Sequence, residues 1–339
     1  MPDHMDLWVR LLAATREAPV DAAALAWRYL DNPHGMARAW VIVDESTNEV
    51  GGFTVVLPRR MRLGARTLLA WVGADFSILP RYRALGPALQ LRRAARQAID
   101  DGAADFLFAF PNQAMRVIHE RAGHLRLGDL RRYAFPANVA FHLERAGVPG
   151  WAARALALPG GAIRDLSGRA RSLLAGDRVR ILRELSRATL REVTVAAERL
   201  TFGRVAGIRD STYLEWRYAR QPGWHGGVIM AMRTDDCAGY LVFTEERDLL
   251  QIADFAALDA RAAATLLGVA VRLARKRGSV SVSYVGLEKG IWDDLLTTRG
   301  FRPREEHHAV YAYVPARHAS LIDAQAPGHW HLTVGDRDV

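Results

Sequence analysis

The stretch ILPRYRALGPALQ, residues 78–90, sets a proline, a basic turn and a glycine between an apolar run and the start of a helical pattern. Residues of these types in this order suit one kind of chemistry. The first amides of a helix have no intrahelical acceptor, and the helix dipole adds partial positive charge there. Such a turn is an anion cradle that a pyrophosphate fits. The candidate contacts are the backbone of Ala84, Leu85, Gly86 and Ala88, with Gly86 allowing close approach, Ala88 keeping the far side small and Arg83 adding charge. Pro87 lacks an N–H, so one donor of the cradle is missing, although proline suits the first helical position. A second candidate, Asp75, lies between Ala74 and Phe76 in the strand entering the turn. A carboxylate in an apolar strand needs either partners or a task, and acid–base work and the tying of a neighbouring loop are both open.

The elements that position these groups come in two copies. LAWRYLDNP at 25–33 is matched by LEWRYARQP at 214–222, and VGGFTVVL at 50–57 by CAGYLVFT at 237–244. ADF at 74–76 recurs at 253–255, and RAGHLR at 121–126 pairs with TRGFRP at 298–303. Four matches in the same order imply one fold used twice. In the first copy, AWVIVDE, EVGGFTVVLPRRMRL and TLLAWVGADFSIL read as strands joined by turns. PALQLRRAARQAIDDG reads as a helix with Leu89, Leu91, Ala95 and Ile99 on its apolar face. DFLFAFP reads as a short buried strand. NQAMRVIHERAG follows as a helix with Asn112 as its cap and Gly123 as its stop. LRLGDLRRYAFPANVAFHL supplies the closing strands of copy one, and HHAVYAYV closes copy two. Expected segments are 1–145, a connector at 146–188 with helical pieces such as SLLAGDRVRILRELS, 189–318, and a polar, peripheral tail at 319–339. Trp27, Tyr29, Trp216 and Tyr218 of the WRY segments read as helix-face core.

Composition narrows the class. Half of the 339 residues are hydrophobic, enough for a real core. No apolar run approaches the roughly 18–20 residues that a bilayer crossing needs, and the amino terminus has no signal-peptide pattern, so a cytoplasmic location is expected. All but two of the 46 basic residues are arginine, Lys276 and Lys289 being the exceptions, and the formal charge is +9. These charges are scattered, which argues against nucleic-acid binding and leaves an acidic ligand or partner as the reading of a basic surface. The single cysteine, Cys237, excludes an internal disulfide and a Cys-based metal cluster. His307–His308 and the His329/His331 pair lack a companion ligand pattern, so no metal is expected.

The run Ile78-Leu79-Pro80-Arg81-Tyr82-Arg83-Ala84-Leu85-Gly86-Pro87-Ala88 resembles the diagnostic stretch of the GNAT superfamily of acyl-CoA-dependent N-acyltransferases. Asn112, Met115, Ile118-His119 and Gly123-His124 stand where that superfamily carries Asn, Ala, Leu-Tyr and Gly-Phe. The resemblance implies an α/β (α+β) chain of two tandem GNAT-like domains, each a mixed, mostly antiparallel sheet flanked by helices. Copy one would hold acyl-CoA, expected to be acetyl-CoA, with its pyrophosphate on 84–88 and its pantetheine arm between ADFSIL and DFLFAFP. The amide of Ile78 or Leu79 would polarise the thioester carbonyl, and Asn112 would border the donor. Asp75 would take a proton from the amine of a small-molecule acceptor. His119, where many members have a tyrosine, would either protonate the departing thiolate or pack. Copy two keeps Gly300-Phe301 but has ALDARAAATLL, with Asp259, in place of the cradle; it is expected to be degenerate and to lend support at the junction. A missing cradle donor and a basic surface also suit acyl carrier protein as donor. A Fem-like aminoacyl transferase or a non-catalytic partner in a biosynthetic complex complete the alternatives.

Overall fold

The computed structural model describes residues 4–16, 19–153, 155–156, 177–321 and 329–337. Helices α1 (Met5–Ala13) and α2 (Ala22–Tyr29) open the chain; Asp21 caps α2 by accepting from the amides of Ala23 and Ala24. Three antiparallel strands follow: β1 (Arg38–Asp44), β2 (Glu49–Leu63) and β3 (Arg66–Ile78). Their tight turns place Asn48 and Gly64 at positive φ, 55° and 57°, a conformation in which asparagine and glycine are least strained. Helix α3 (Leu85–Asp100) crosses over to β4 (Phe106–Ala109), which runs parallel to β3. Helix α4 (Gln113–Arg121), strand β5 (Leu125–Pro136) and helix α5 (Val139–Arg145) complete the first half.

The second half repeats the plan. Strand β6 (Arg178–Leu182), helix α6 (Arg187–Leu200), strand β7 (Val205–Gly207) and helix α7 (Ser211–Leu214), which continues into a π turn over Glu215–Ala219, lead into it. Antiparallel β8 (Gly226–Arg233), β9 (Asp236–Glu246) and β10 (Leu249–Ala257) precede α8 (Ala260–Arg277) and β11 (Ser281–Leu287), parallel to β10. Helix α9 (Asp293–Thr298), β12 (Arg302–Tyr313) and the short β13 (Trp330–His331) end the described chain. No described helix is long and apolar enough to cross a membrane.

All described strands join one sheet, ordered β13-β7-β2-β3-β4-β12-β5-β11-β10-β9-β8-β6, with β1 beside β2. The halves exchange their closing strands. β12 of the second half pairs with β4 of the first, and β5 of the first pairs with β11 of the second. The two exchanged strands pair with each other at the centre. Burial follows the exchange: Val310 and Ala312 lie in the core of the first half, Tyr133 and Phe135 in that of the second. Across the junction the WRY segments meet as a near-dyad. Trp27 and Trp216 stack with ring centres 4.8 Å apart, and each indole N–H donates to the other's carbonyl at 2.9 and 3.0 Å. These aromatic residues are core, as their helical spacing implies.

Two expectations are corrected here. The helical reading of SLLAGDRVRILRELS fails over 178–182, where antiparallel pairing with β8 makes an edge strand instead; residues 157–176 of the connector lie outside the described residues. The tail is not peripheral. Trp330 and Leu332 are buried, β13 extends the sheet beside β7, and Asp336 sits between two guanidinium groups. Its carboxylate accepts from Arg59 of β2 and from Arg209, both at 2.8 Å, while Arg209 also pairs with Asp254 of β10. Isolated charges at this depth are unstable; as a network with complementary signs they lock the tail, β2 and β10 together.

Removing one member leaves two buried guanidiniums facing each other. Asp336→Ala is expected to lower stability by about 3–5 kcal/mol, read as a drop in thermal midpoint on calorimetry. Asp235→Ala, an exposed carboxylate on the β8–β9 turn, is the control and should change the midpoint little. Equal midpoints for the two variants would overturn the locking role.

Candidate functional site

The turn after β3 is built from its own residues. The Leu79 amide donates to the Gly51 carbonyl at 2.9 Å and so belongs to the β2 ladder. A 3-10 turn over Pro80–Tyr82 reverses the chain, and Arg83 Nε donates back to the Ile78 carbonyl at 3.2 Å. Tyr82 lies over Gly51, where any Cβ would come within 2.7 Å of its ring, and its hydroxyl donates to Asp44 at 2.9 Å. Arg81 pairs with Glu49. The basic residues of the turn therefore brace it against the neighbouring strands. Ala84 is extended (φ −140°, ψ 163°) and α3 starts at Leu85 with no side-chain cap. The amide of Ala88 reaches the Ala84 carbonyl only at 3.5 Å. A Cβ on Gly86 would meet nothing within 4 Å, and its φ is not positive. Neither backbone strain nor a neighbour asks for glycine there, although glycine in a helix costs about 0.5–1 kcal/mol against alanine. Open space over uncapped amides is what a ligand that touches the backbone requires.

Beside this turn the sheet opens. β3 and β4 pair from Ala70/Phe106 to Gly73/Ala109, and β3 continues to Ile78 beyond that point. The pairing of β3 with β2 shifts between Gly73 and Phe76, so a bulge coincides with the parting. Amides alternate along a strand. With that of Leu79 turned to β2, those of Ile78 and Phe76 face the edge that β4 leaves. Of the two amides proposed from sequence, Ile78 faces the opening and Leu79 does not; Phe76 was missed because a bulge leaves no local sequence signal.

Asp75 is buried and fully engaged. Arg16, Arg28 (2.6 Å) and the Tyr29 hydroxyl all donate to its carboxylate, which ties α1 and α2 to β3. Its counterpart Asp254 pairs with Arg209 in the same way. This is the tying alternative: three donors occupy three of the roughly four lone pairs of the carboxylate. Asn112 caps α4, its Oδ1 accepting from the Met115 amide at 3.0 Å. His119 is buried under α4, edge-on to His124 at 4.7 Å and near Tyr311. Burial first, then the charge of Arg92, push its pKa well below the ordinary value, so the imidazolium that a general acid needs is disfavoured. Arg92, absent from the sequence-based list, lies at the parting point: its Nη1 is 3.3 Å from where a Gly73 Cβ would stand. The signal was present, since Arg92 falls on the stripe Ala88, Leu91, Ala95, Ile99 that α3 buries.

The second half closes its own helix start. Asp259 accepts from the Ala262 amide at 2.8 Å and is held by Arg233, also at 2.8 Å. A carboxylate of the chain thus fills the position that a bound anion would take. Cys237 donates to the Gly239 carbonyl, and burial raises its pKa, so it is not an activated thiol. Between the halves, Trp27, Arg28, Arg59, Trp216, Arg217 and Asp336 enclose about 20 Å³, room for about one water. Among the described residues no group of three His, Cys, Asp or Glu side chains converges as for a metal.

No protein-family model matches the sequence, and no curated protein aligns with it significantly. Solved structures do match its fold. A GCN5-related N-acetyltransferase from Anabaena variabilis superposes with TM-score 0.63 at 15% identity, covering 93% of this chain and 71% of that one. Eis1 from Mycobacterium abscessus gives 0.56 at 14%, over 94% and 73%. A tandem GNAT protein from the clavulanic acid biosynthesis pathway gives 0.53 at 16%, over 92% and 95%. The chain has a tandem GNAT fold.

Four buried histidines make stability depend on pH. Burial, aided by Arg59, pushes His34 down to about 2; burial with Arg92 pushes His124, and with Arg209 His331, down to about 3; His119 moves the same way. The unfolded chain takes up these protons below pH of about 6.5, and the folded chain does not. Stability is therefore full above that pH and falls as pH drops toward 3, by up to about 1.4 kcal/mol per pH unit for each group. Thermal midpoints should fall steadily from pH 7 to 5; a flat profile would contradict the buried neutral assignment.

Proposed function

We propose that this chain is an N-acyltransferase that moves an acyl group from acyl-CoA to a primary amine of a small molecule, with the donor held by the first half. One observation carries the reading. Helix α3 starts uncapped, with open space at Gly86, beside the point where β3 and β4 part, whereas the equivalent start of α8 is filled by Asp259. The groups fit the donor. The amides of Leu85 and Gly86 donate to the diphosphate, and the dipole of α3 adds to the attraction. The unpaired edge of β3 offers peptide groups to the pantetheine arm. The amides of Ile78 and Phe76 donate to the thioester oxygen as negative charge develops on it. Acyl-CoA supplies the activated carbonyl. Asp75 and Asn112 support the site by holding α1, α2 and α4 in place. His119 is buried beside Arg92 and neutral, so it lines the acyl end of the opening and is not an imidazolium acid for the departing sulfur. With Cys237 in the second half and its pKa raised, the amine attacks directly, without an acyl-enzyme; the C–N bond forms, the C–S bond breaks, and the proton lost by the amine passes to the departing thiolate, which leaves as the CoA thiol.

A second donor class has one observation in its favour. Pro87 removes an amide from the cradle, which weakens diphosphate binding and favours acyl carrier protein.

Calorimetric titration decides between them. Wild-type protein is expected to bind acetyl-CoA in the micromolar range, Gly86→Glu to lose that heat, and Asp259→Ala to keep it. Absence of CoA binding with tight binding to acyl carrier protein would replace the first donor by the second. Absence of both, with no transfer to a panel of amines, would remove the enzymatic reading. In the same experiment Asp75→Asn should lower the melting temperature, because a neutral amide faces Arg16 and Arg28, while the CoA affinity of the folded fraction stays close to wild type.

A further inference from the structure

Arg92 is the buried charge that the fold itself does not answer. The residue is 2% exposed, and Nε and Nη1 have no hydrogen-bond partner among the described residues. Other deep arginines are paired: Arg59 and Arg209 with Asp336, Arg28 with Asp75. Near Arg92, Nδ1 of His119 and both ring nitrogens of His124 are likewise without a hydrogen-bond partner. Burial draws the Arg92 pKa only to about 10, so the group is charged at neutral pH. The neighbouring imidazoles are neutral for the reasons given above. One cation and two neutral imidazoles, with no acceptor oxygen among them, form a receptor for an acceptor-only anion. A planar guanidinium matches a carboxylate best.

Its place in the fold says which carboxylate. α3 runs back along β3 from the uncapped end, so a residue two turns on returns to the level where β3 and β4 part. Arg92 lies against Gly73 at that point, and the ring of Phe76, which is only partly buried, lies over its guanidinium at 5.7 Å. A donor held at Leu85 and Gly86 and extended along β3 brings its acyl end to this closed end of the opening. We infer that Arg92, with His119 and His124, forms a subsite for a terminal carboxylate on the acyl group, so that the preferred donor is the CoA thioester of a short dicarboxylic acid and not acetyl-CoA. The inference rests on the acyl-CoA reading and sharpens it.

Binding of stable thioethers tests it without an acceptor. S-(3-carboxypropyl)-CoA and S-propyl-CoA are titrated into wild-type protein and into Arg92→Leu. The expected result is a preference of about tenfold or more for the carboxylated thioether in wild type, the scale of one charge-assisted pair, and its loss in the variant. Leucine continues the apolar stripe of α3, so the ligand-free variant should melt at or above the wild-type temperature, the opposite of an ordinary core substitution. A lower midpoint with the preference retained would make Arg92 structural. Should Arg92→Leu not fold, the wild-type ratio of the two thioethers decides alone. Equal binding of both, with CoA still bound, overturns the subsite and leaves the acyl-CoA reading standing. Binding of free succinate that depends on Arg92, with equal thioether affinities, reassigns the carboxylate to the acceptor and overturns the donor assignment. No binding of any CoA species removes the donor channel and the inference with it.

Discussion

A helix begins with amides that nothing inside it can satisfy, and the two halves of this chain meet that constraint differently. In α8 the chain supplies the anion: Asp259 caps the first turn and Arg233 fixes the cap. In α3 the residue at the same place is Ala84, which has no group to offer, and the next turn carries Gly86 with open space over it. The first arrangement is closed to an anionic ligand by occupation and by charge; the second is open on both counts. Pro87 fits the same logic. It removes an amide that would otherwise need an acceptor, at the cost of one contact to a diphosphate. The asymmetry between the two helix starts of this duplicated fold reduces to one carboxylate present in one copy and absent from the other.

What keeps the open end open is the rest of the sheet. Two parallel strands that part expose backbone on both inner edges, and exposed edges invite collapse or pairing. Here β4 is held from its far side by β12, which belongs to the other half, while β3 is held by β2 over its whole length. The exchange of β5 and β12 makes each half complete only in the presence of the other. The Trp27–Trp216 stack and the Arg59–Asp336–Arg209 network then fix the junction on the opposite side. The junction leaves about 20 Å³ between the WRY helices, room for about one water, and braces the first half. The second half gives the first a strand, β12, and a brace at the junction.

Local pattern made much of this legible. The repeat announced two copies, Asn112 read as a cap and is one, and the turn at 80–88 was located because proline, glycine and the following helical period are all short-range signals. The exchanged strands were not legible. RRYAFP and VYAYV carry the same alternation whichever neighbour they pair with, since period two specifies a face and not a partner. The tail failed for a related reason: GDRDV is polar, and polarity reads as solvent unless the complementary charges, Arg59 and Arg209, are known to be near in space. In α3 the period itself was misjudged. Leu89 was placed on the buried face by its chemistry, whereas the geometry buries Arg92, one turn after Ala88 and one before Ala95.

Those buried charges also separate structure from function. Asp75, Asp254 and Asp336 each face at least one guanidinium, so desolvation is offset within the chain and their removal is a matter of stability. A catalytic role for Asp75 would ask one carboxylate to hold three donors and also receive a proton. Arg92 is the reverse case, a buried cation whose surroundings contribute only neutral imidazoles and an aromatic ring. A buried charge without an answering group, at the closed end of the β3–β4 opening, is the ground for assigning the missing interaction to a ligand, because a charge that served only packing would be replaced by leucine with a gain in stability. The same reasoning explains why His119 cannot be judged by its ordinary pKa. Its protonation state is set first by burial and then by the guanidinium beside it, and an anion bound to Arg92 would weaken the second of these effects.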